Sequence, residues 1–493
     1  MLFPTNYNVS TMKNYLRTAS GVLAAILSFA PAGIAQPAAA AKQPVAPGHM
    51  KNAAAEFPLS VSPNHRYLVD RAGRPFLIVG DTPQGLMGRL SEKDAEYYFA
   101  DREAHGFNTL GWIDVACAGF DYPNNPTAAT PDGIRPFTGF VAGGTDFAHY
   151  DLGKPNEAYF VRLDHIVQLA ANHHLAVFID PIETVGWLDT LRNNGKQAAY
   201  AYGQFLGKRY GGYANVMWLS GNDFNQWTTP EDDALVRAVS MGIRSAAPKQ
   251  LQSVELNVLT SSSLDDPRWA PLIDLNGTYT YSPTYIQMLH SYNQSPVMPA
   301  YLLEAHYDLE DVGGPPDFGT PYVLRKEEYW TMLSGGTGQF YGNAYTWTFK
   351  DGWKNNIDTP GVEQMAYWTK FFSSLPWQDL VPDQDHKILT AGIGSFGNVD
   401  TRVSESDYAT AARTPNGSVA VIYLPTVRTI TVNRKALHGP VKASWFDPSN
   451  GTYQPASSGP LPNSGTQEFV PPGKNKAGDG DWVLLLEASA PHP

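Results

Sequence analysis

The chain has little cysteine, little charge and few long apolar runs. Its single cysteine, Cys117, cannot form an internal disulfide, so stability has to come from packing. Charged residues make up 17% of the 493 residues and the formal net charge is -12, whereas nucleic acids and anionic membranes both require a basic patch on the protein. After the N-terminal region, no stretch of about 20 uninterrupted apolar residues indicates a membrane-spanning helix. The sequence therefore predicts neither nucleic-acid binding nor membrane insertion.

The N-terminal region has the pattern of a signal peptide. Lys13 and Arg17 precede an apolar run over residues 21–30, and small residues suited to cleavage follow that run. We expect a signal peptide over residues 1–35 and a linker over residues 36–56. The mature protein is then expected to be secreted or periplasmic.

Aromatic residues, by contrast, are abundant. They make up 12% of the chain and include 12 Trp and 26 Tyr. Such rings suit sugar binding, because the apolar faces of sugars pack on them while Tyr and Trp keep a polar group. The same rings would also fill a large core, so their number alone does not decide between these two uses.

Strand patterns alternate with helical patterns from residue 57 to residue 376. This alternation indicates an α/β architecture with a parallel sheet, and about eight units imply closure into a (β/α)8 TIM barrel. A hairpin over residues 59–70 is expected to cover the floor of this barrel. From residue 377 to residue 493, short β-type runs alternate with turns, which predicts a small all-β sandwich as a second domain.

The join between the two predicted domains is aromatic. Phe371, Phe372, Leu375 and Trp377 lie close together there, with too few Gly, Ser or charged residues nearby for a flexible tether. We expect the β domain to pack on the barrel through these apolar residues. Its role would then be structural.

Two apolar runs end in a carboxylate. Val216 to Leu219 leads into Asp223, and Tyr301 to Leu303 leads into Glu304. Barrel enzymes build their active sites where strands end, so strands four and seven can bring these carboxylates to one pocket. A carboxylate pair is the machinery of most glycoside hydrolases. Alone, either residue would more often be a helix cap or a surface charge than a catalytic group.

Three other motifs point to no cofactor and no metal. The string at residues 392–397 matches a dinucleotide fingerprint but lies in the β-rich part, where no helix follows it. His173 and His174 lack the spacing of metal ligands to other Cys or His residues. Residues 479–481 suit a hairpin turn better than a calcium site.

Several segments resemble the apiosidase-like glycoside hydrolases. The resemblance spans about residues 57 to 375, and the remainder is similar to the small β domain that usually follows, which in that family carries a collagen-binding label. The segments that carry it are residues 67–70, 80–82, 102–108, 155–160, 207–210, 218–225 and 303–308.

The resemblance implies a TIM-barrel glycosidase with two catalytic carboxylates. Carried over by motif, Asp223 is the acid/base candidate and Glu304 the nucleophile candidate. The family includes a β-apiosidase that acts on pectic rhamnogalacturonan II. The expected activity is therefore an exo-acting, retaining hydrolysis that removes apiose, or a related pentose or furanose, from a plant-type oligo- or polysaccharide. The alternative, suggested by the label of the β domain, is a non-catalytic protein that binds carbohydrate or matrix.

The chain departs from the family pattern at three positions of the expected pocket. Asn222 stands where the family usually has Gly, Gln84 where it often has Trp, and Asn343 where it often has His. These changes put the sugar more in doubt than the reaction, because pocket walls select the sugar. The expected substrate-binding residues are Asp81, Asp114, Asn222, Tyr281, Tyr307 and Tyr341.

Overall fold

A computed structural model describes residues 54–116, 125–256, 260–310 and 317–488. The expected signal peptide, most of the expected linker and Cys117 lie outside the described residues. Among those described, no helix has both the length and the apolar character that crossing a membrane would need.

A small antiparallel sheet covers the N-terminal end of the barrel. It consists of strands β1 (Ser60–Val61), β2 (Leu68–Val69) and β3 (Pro75–Phe76), paired in that order. Leu59 and Leu68 are buried in one cluster with side chains from inside the barrel. The predicted hairpin at the barrel floor is therefore confirmed.

The central sheet is parallel except at one edge. The strand order is β8-β7-β6-β5-β4-β12-β11-β10-β9, and only β9 runs antiparallel to its neighbour within the described residues. The strands are β4 (Ile78–Asp81), β5 (Thr109–Asp114), β6 (Ala176–Asp180), β7 (Val216–Ser220), β8 (Gln252–Val254), β9 (Thr260–Ser262), β10 (Asn276–Thr280), β11 (Ala300–Glu304) and β12 (Gly338–Tyr341).

Hydrogen bonds between β8 and the start of β10 close this sheet into a ring. The backbone N–H groups of Asp274 and Leu275 donate to the carbonyl oxygen of Gln252, at 2.8 and 3.3 Å. The Ser263 hydroxyl donates to the Val254 carbonyl and accepts from the Gly277 N–H. The predicted TIM-barrel fold class is thereby confirmed.

Helices alternate with the strands and begin where the sequence offers caps. The side chains of Ser91, Asn156, Thr320 and Thr359 each accept a backbone N–H from the first turn that follows. The helices are α1 (Leu86–Arg89), α2 (Glu92–Ala104), α3 (Glu157–Asn172), α4 (Thr184–Tyr210), α5 (Pro230–Ala246), α6 (Thr284–Asn293), α7 (Pro321–Leu333) and α8 (Pro360–Ser373).

The two faces of the barrel strands have separate cores. Trp112, Phe178 and Phe340 lie in the cluster inside the barrel, whereas Ile113 and Ile179 lie in the layer between strands and helices. This separation follows from the two-residue period of a strand. A strand-end residue that shares its parity with an interior ring therefore faces the mouth of the barrel.

The C-terminal part is an antiparallel β structure with two sheets. One sheet has the order β13-β15-β16-β21-β18-β19 and the other β14-β17-β20, with an apolar core that includes residues of both. The strands are β13 (Val381–Pro382), β14 (Leu389–Ala391), β15 (Thr410–Arg413), β16 (Val419–Leu424), β17 (Ile430–Asn433), β18 (Val441–Asp447), β19 (Thr452–Pro455), β20 (Thr466–Phe469) and β21 (Trp482–Ala488).

The larger sheet packs on helices α7 and α8 of the barrel. The rings of Tyr329 and Tyr423 stack with 5.1 Å between their centroids, and those of Phe371 and Phe446 lie 4.7 Å apart. Phe372, Leu375 and Trp377 are buried in the same cluster. The predicted apolar interface is confirmed.

Candidate active site

Strand β7 ends in a strained turn that carries Asp223. Gly221 and Asp223 both have left-handed backbones, with φ of 77° and 45°, and Asp223 adopts this conformation at a cost because it has a Cβ. A Cβ on Gly221 would lie 2.9 Å from the Glu255 carbonyl oxygen, so glycine is required for the chain to turn there. The strand itself ends at Ser220, so Asp223 lies in the loop that follows it.

Asp223 and Glu304 are brought together by a tyrosine that was not predicted. Tyr279 is the register partner of Glu304, and its phenol lies close enough to both carboxyl groups to lower their pKa values. Tyr281, two residues along the chain, donates its hydroxyl to Oε1 of Glu304 at 3.3 Å. The ends of β7, β10 and β11 thus place the two predicted catalytic carboxyls within reach of one phenol.

A third carboxyl, Glu255, lies directly behind Asp223. Its Oε2 accepts the backbone N–H of Asp223 at 3.1 Å, and its side chain is fully buried just after β8. Burial, together with the charges of Glu304 and Asp223, raises the pKa of Glu255 well above its ordinary value. Sequence reasoning missed this residue, although parity offered a signal, because Glu255 lies two residues beyond Ser253 in the interior register of β8.

The electrostatics of the group favour protonated carboxyls. Burial raises the pKa of Asp223 to about 6, against the opposing effect of the nearby Tyr279 hydroxyl. Burial and the charges of Asp223 and Glu310 raise the pKa of Glu304 well above its ordinary value, and the hydroxyls of Tyr279 and Tyr281 only partly oppose this rise. A carboxyl that keeps its proton near neutral pH can act as a general acid.

Asn222 belongs to a chain of amides that crosses the barrel mouth. Its Nδ2 donates to Oε1 of Gln84 at 3.2 Å, and Nε2 of Gln84 donates to the Tyr307 hydroxyl at 2.9 Å. The Thr184 hydroxyl bonds both the N–H and the carbonyl of Asn222. Two of the positions that depart from the family pattern, Gln84 and Asn222, therefore bond each other and form one paired change in the pocket.

Asp114 lies beside another buried aspartate at the interior face. Asp114 and Asp180 are register partners at the ends of β5 and β6, and both are buried. Their parity matches that of Trp112 and Phe178 inside the barrel. Burial raises the pKa of Asp180 to about 8, and the Ile182 N–H donates to its Oδ1. Asp180 is a further member of the group that the sequence did not single out.

Asp81 and Tyr341 lie on the opposite face of their strands. Asp81 accepts from the Tyr98 hydroxyl at 2.5 Å and from Arg102 at 3.1 Å, both on helix α2. Tyr341 donates to Asp308 at 2.7 Å. Their positions correct the expectation that they line the pocket with the other candidates. The reason is parity, since each is two residues from a side chain that packs toward the helices.

One group of side chains has the spacing of metal ligands. Within the described residues, one group of three His or acidic side chains lies close enough together to hold an ion, namely Asp101, His105 and Asp358. The Arg102 guanidinium already donates to Asp101 at 2.5 Å, so an arginine side chain supplies the positive charge beside this carboxylate. This group lies at the outer end of α2, away from the carboxyls at the barrel mouth.

The comparisons with known proteins agree with this geometry. The family model described as "Apiosidase-like, catalytic domain" matches residues 62–379, and the one described as "Putative collagen-binding domain of a collagenase" matches residues 398–487. A solved structure described as a glycoside hydrolase is 22% identical, with a TM-score of 0.72 over 89% of this chain and 98% of that one. A glycoside hydrolase family 5 structure from Bacteroides vulgatus ATCC 8482 is 20% identical, with a TM-score of 0.72 over 88% and 94%. No curated protein sequence matches the chain.

Proposed function

The chain belongs to the apiosidase-like glycoside hydrolase family, and we propose that it is an exported, exo-acting and retaining member of it. The proposed substrate is a plant-type oligo- or polysaccharide that ends in apiose or a related pentose or furanose. The observation that carries the proposal is the placement of Asp223 and Glu304 at the same barrel mouth, beside the Tyr279 phenol and close enough for the charge of Asp223 to raise the pKa of Glu304. A non-catalytic binding protein would need neither carboxyl at this place.

In the first step, Glu304 attacks the anomeric carbon while Asp223 gives its proton to the leaving oxygen. The glycosidic bond breaks and an ester forms between Glu304 and the sugar. The raised pKa of Asp223, about 6, keeps part of this residue protonated near neutral pH. Burial and the charge of Asp223 raise the pKa of Glu304, and the hydrogen bond from Tyr281 opposes this rise and so stabilises the ionised form that the attack requires.

In the second step, Asp223 accepts a proton from water and the water oxygen attacks the anomeric carbon. The ester to Glu304 breaks, the sugar leaves with its original configuration, and both carboxyls return to their starting states. One side chain thus serves first as acid and then as base. Retention requires the two carboxyl groups to lie about 5 to 5.5 Å apart.

The proposals on substrate and location have separate support. Apiose follows from the family name, but the paired change of Gln84 and Asn222 alters the wall that would contact the sugar. A related pentose or furanose is therefore part of the proposal. Export is supported by the pattern of charge and apolar residues before residue 35.

The test is a screen of aryl glycosides and apiose-terminated oligosaccharides with two variants. Glu304→Ala should abolish cleavage of every substrate, because no nucleophile remains. Asp223→Ala should spare aryl glycosides with good leaving groups, which need no proton, far more than oligosaccharides. Proton NMR of the first product anomer reports on retention. Equal losses on both substrate types in Asp223→Ala would contradict the role given to Asp223.

A further inference from the structure

One segment of the C-terminal part reaches the catalytic end of the barrel. Residues 395–406, called here the strap, connect β14 to β15 and contact the loop after β10, the first turn of α6 and the start of α7. Both helices begin at the end of the barrel where the strands finish. The strap therefore lies beside the mouth that holds the carboxyls.

The strap binds the residue next to Tyr281. The buried Ser282 hydroxyl donates to the Val399 carbonyl of the strap at 2.5 Å. Tyr281 is its immediate neighbour in the chain, and its hydroxyl donates to Glu304 at 3.3 Å. A shift of the strap would therefore move the backbone that orients the Tyr281 phenol.

A buried lysine holds the far end of the strap. The Lys326 Nζ donates to the carbonyls of Val403, Ser404 and Ser406 at 3.1, 2.9 and 3.1 Å. These three bonds match the three N–H groups of an ammonium. Burial lowers the pKa of Lys326 to about 8, so the amine still carries its charge at neutral pH.

The middle of the strap is fixed by a second tyrosine. The Gly397 N–H donates to the Tyr285 hydroxyl at 2.9 Å, and the same hydroxyl lies 3.3 Å from the Ser406 hydroxyl. The rings of Tyr285 and Phe396 pack 5.1 Å apart. The strap is thus attached to the barrel on both sides of Val399 in the sequence, at Gly397 and at residues 403–406.

We propose that the strap is a positioning element of the active site, which fixes the loop carrying Tyr281 and so the hydrogen bond from Tyr281 to Glu304. Ser282 and Lys326 are then positioning residues that act through the strap. The inference rests on the proposed function, because it gives Tyr281 a role toward the nucleophile. It also gives the C-terminal part a role in catalysis that needs no contact with substrate.

The first test compares Ser282→Ala with Tyr322→Phe in the full chain. Ser282→Ala should lower kcat/KM for an aryl glycoside about fivefold, the equivalent of one hydrogen bond of roughly 1 kcal/mol. The acid limb of its pH profile of kcat/KM should move to higher pH, because a weaker bond from Tyr281 lets the pKa of Glu304 rise. Tyr322→Phe removes a different bond from α7 to the C-terminal part, the one to the Pro425 carbonyl, and keeps the ring 4.5 Å from the Lys326 ammonium. It should change neither quantity.

Two further variants separate positioning from general loosening. Lys326→Met should reproduce the kinetic change of Ser282→Ala, and Ser282→Ala should cause no further loss in a Tyr281→Phe background. Equal losses in Tyr322→Phe, or additive losses in the double variant, would overturn the proposal. Lys326 is buried, so Ser282→Ala decides the matter if Lys326→Met fails to fold.

A readout without activity keeps this inference apart from the proposed function. The fluorine NMR resonance of 3-fluorotyrosine at position 281 should shift in Ser282→Ala and stay in place in Tyr322→Phe. An unchanged resonance in Ser282→Ala would overturn the positioning role. A wild-type protein that cleaves no glycoside would instead refute the proposed function, while the resonance would still decide whether the strap positions Tyr281.

Discussion

Asp223 combines two costly properties. It holds a left-handed backbone with φ of 45°, and burial raises its pKa to about 6. Strain and a perturbed pKa at one residue are common where a fold gives up stability for chemistry. The neighbouring Glu255 accounts for the conformation, since it accepts the N–H that this backbone presents.

The raised pKa of Asp223 predicts how activity depends on pH. As a general acid in the first step, Asp223 must be protonated, so kcat/KM for an oligosaccharide should fall as pH rises through about 6. An aryl glycoside with a good leaving group needs no proton, so kcat/KM for this substrate should fall less steeply on the alkaline side of its pH profile. Initial rates from pH 4 to 9 on both substrates check this. Identical alkaline limbs would contradict the assignment of Asp223 as the acid.

The raised pKa of Glu255 predicts that an amide can replace it. Glu255→Gln keeps an acceptor for the Asp223 N–H and mimics a protonated carboxyl, so kcat should stay within about threefold of wild type. Glu255→Ala leaves that N–H without its partner, which costs roughly 1–3 kcal/mol and should lower kcat by at least about fivefold. Steady-state kinetics with thermal unfolding of both variants are the measurement. A Gln variant as impaired as the Ala variant would mean that Glu255 works as a carboxylate.

At the scale of elements, the sequence predicts those features that a single local pattern determines. Apolar runs followed by polar residues locate the barrel strands, and Glu304 is the last residue of its strand, as expected. The expectation for Asp81 and Tyr341 treats all strand ends alike and ignores the alternation that turns both toward the helices. That alternation indicates Glu255 and Tyr279, but it would turn Glu304 away from the pocket, because the register shift that pairs Glu304 with Tyr279 leaves no signal in the sequence.

Other features depend on distant parts of the chain. The closure of the barrel through Ser263 joins the end of β8 to the start of β10, and no local pattern indicates it. The turn at Gly221 depends on the Glu255 carbonyl 34 positions along the sequence in the same way. Tertiary contacts of this kind are beyond a reading by propensity and periodicity.

The close approach of helices α4 and α5 predicts that replacing a glycine by alanine at their contact lowers stability. A Cβ on Gly203 would lie 2.1 Å from the Val239 carbonyl oxygen, and one on Gly242 would lie 2.2 Å from that of Tyr200. Alanine improves helix propensity by up to about 1 kcal/mol, but overpacking costs typically ~1–3 kcal/mol, and here it forces two backbones apart. Both Gly→Ala variants should therefore melt at lower temperature than wild type.

The control for this prediction is Gly212→Ala, where a Cβ would meet no atom within 4 Å. Its melting temperature should stay close to that of wild type. Circular dichroism during heating measures all three variants. If Gly203→Ala or Gly242→Ala raised the melting temperature, the close approach of the two helices would be disproved.

For the molecule as a whole, the barrel and the C-terminal part share buried charge as well as apolar surface. The Arg325 guanidinium on α7 donates to Asp481 at 2.8 and 2.9 Å and to Asp479 at 2.6 Å. Its remaining nitrogen donates to Gln364 at 2.9 Å. The side chains of Arg325 and Asp481 are 1% and 0% exposed, so each charge depends on a partner from the other part of the chain.

The last prediction follows from this dependence. Arg325→Met leaves Asp481 buried without its counter-charge, and removing one partner of a buried pair costs about 3–5 kcal/mol. The double variant Arg325→Met/Asp481→Asn should recover part of this loss of stability, because the amide carries no charge that needs a partner. The control is Arg71→Met, which removes an ion pair with Glu56 whose side chains are 71% and 49% exposed. It should cost less than about 1 kcal/mol. Urea unfolding followed by tryptophan fluorescence gives the free energy of unfolding of each variant. An Arg325→Met variant as stable as Arg71→Met would show that apolar packing, and not this buried ion pair, holds the two parts together.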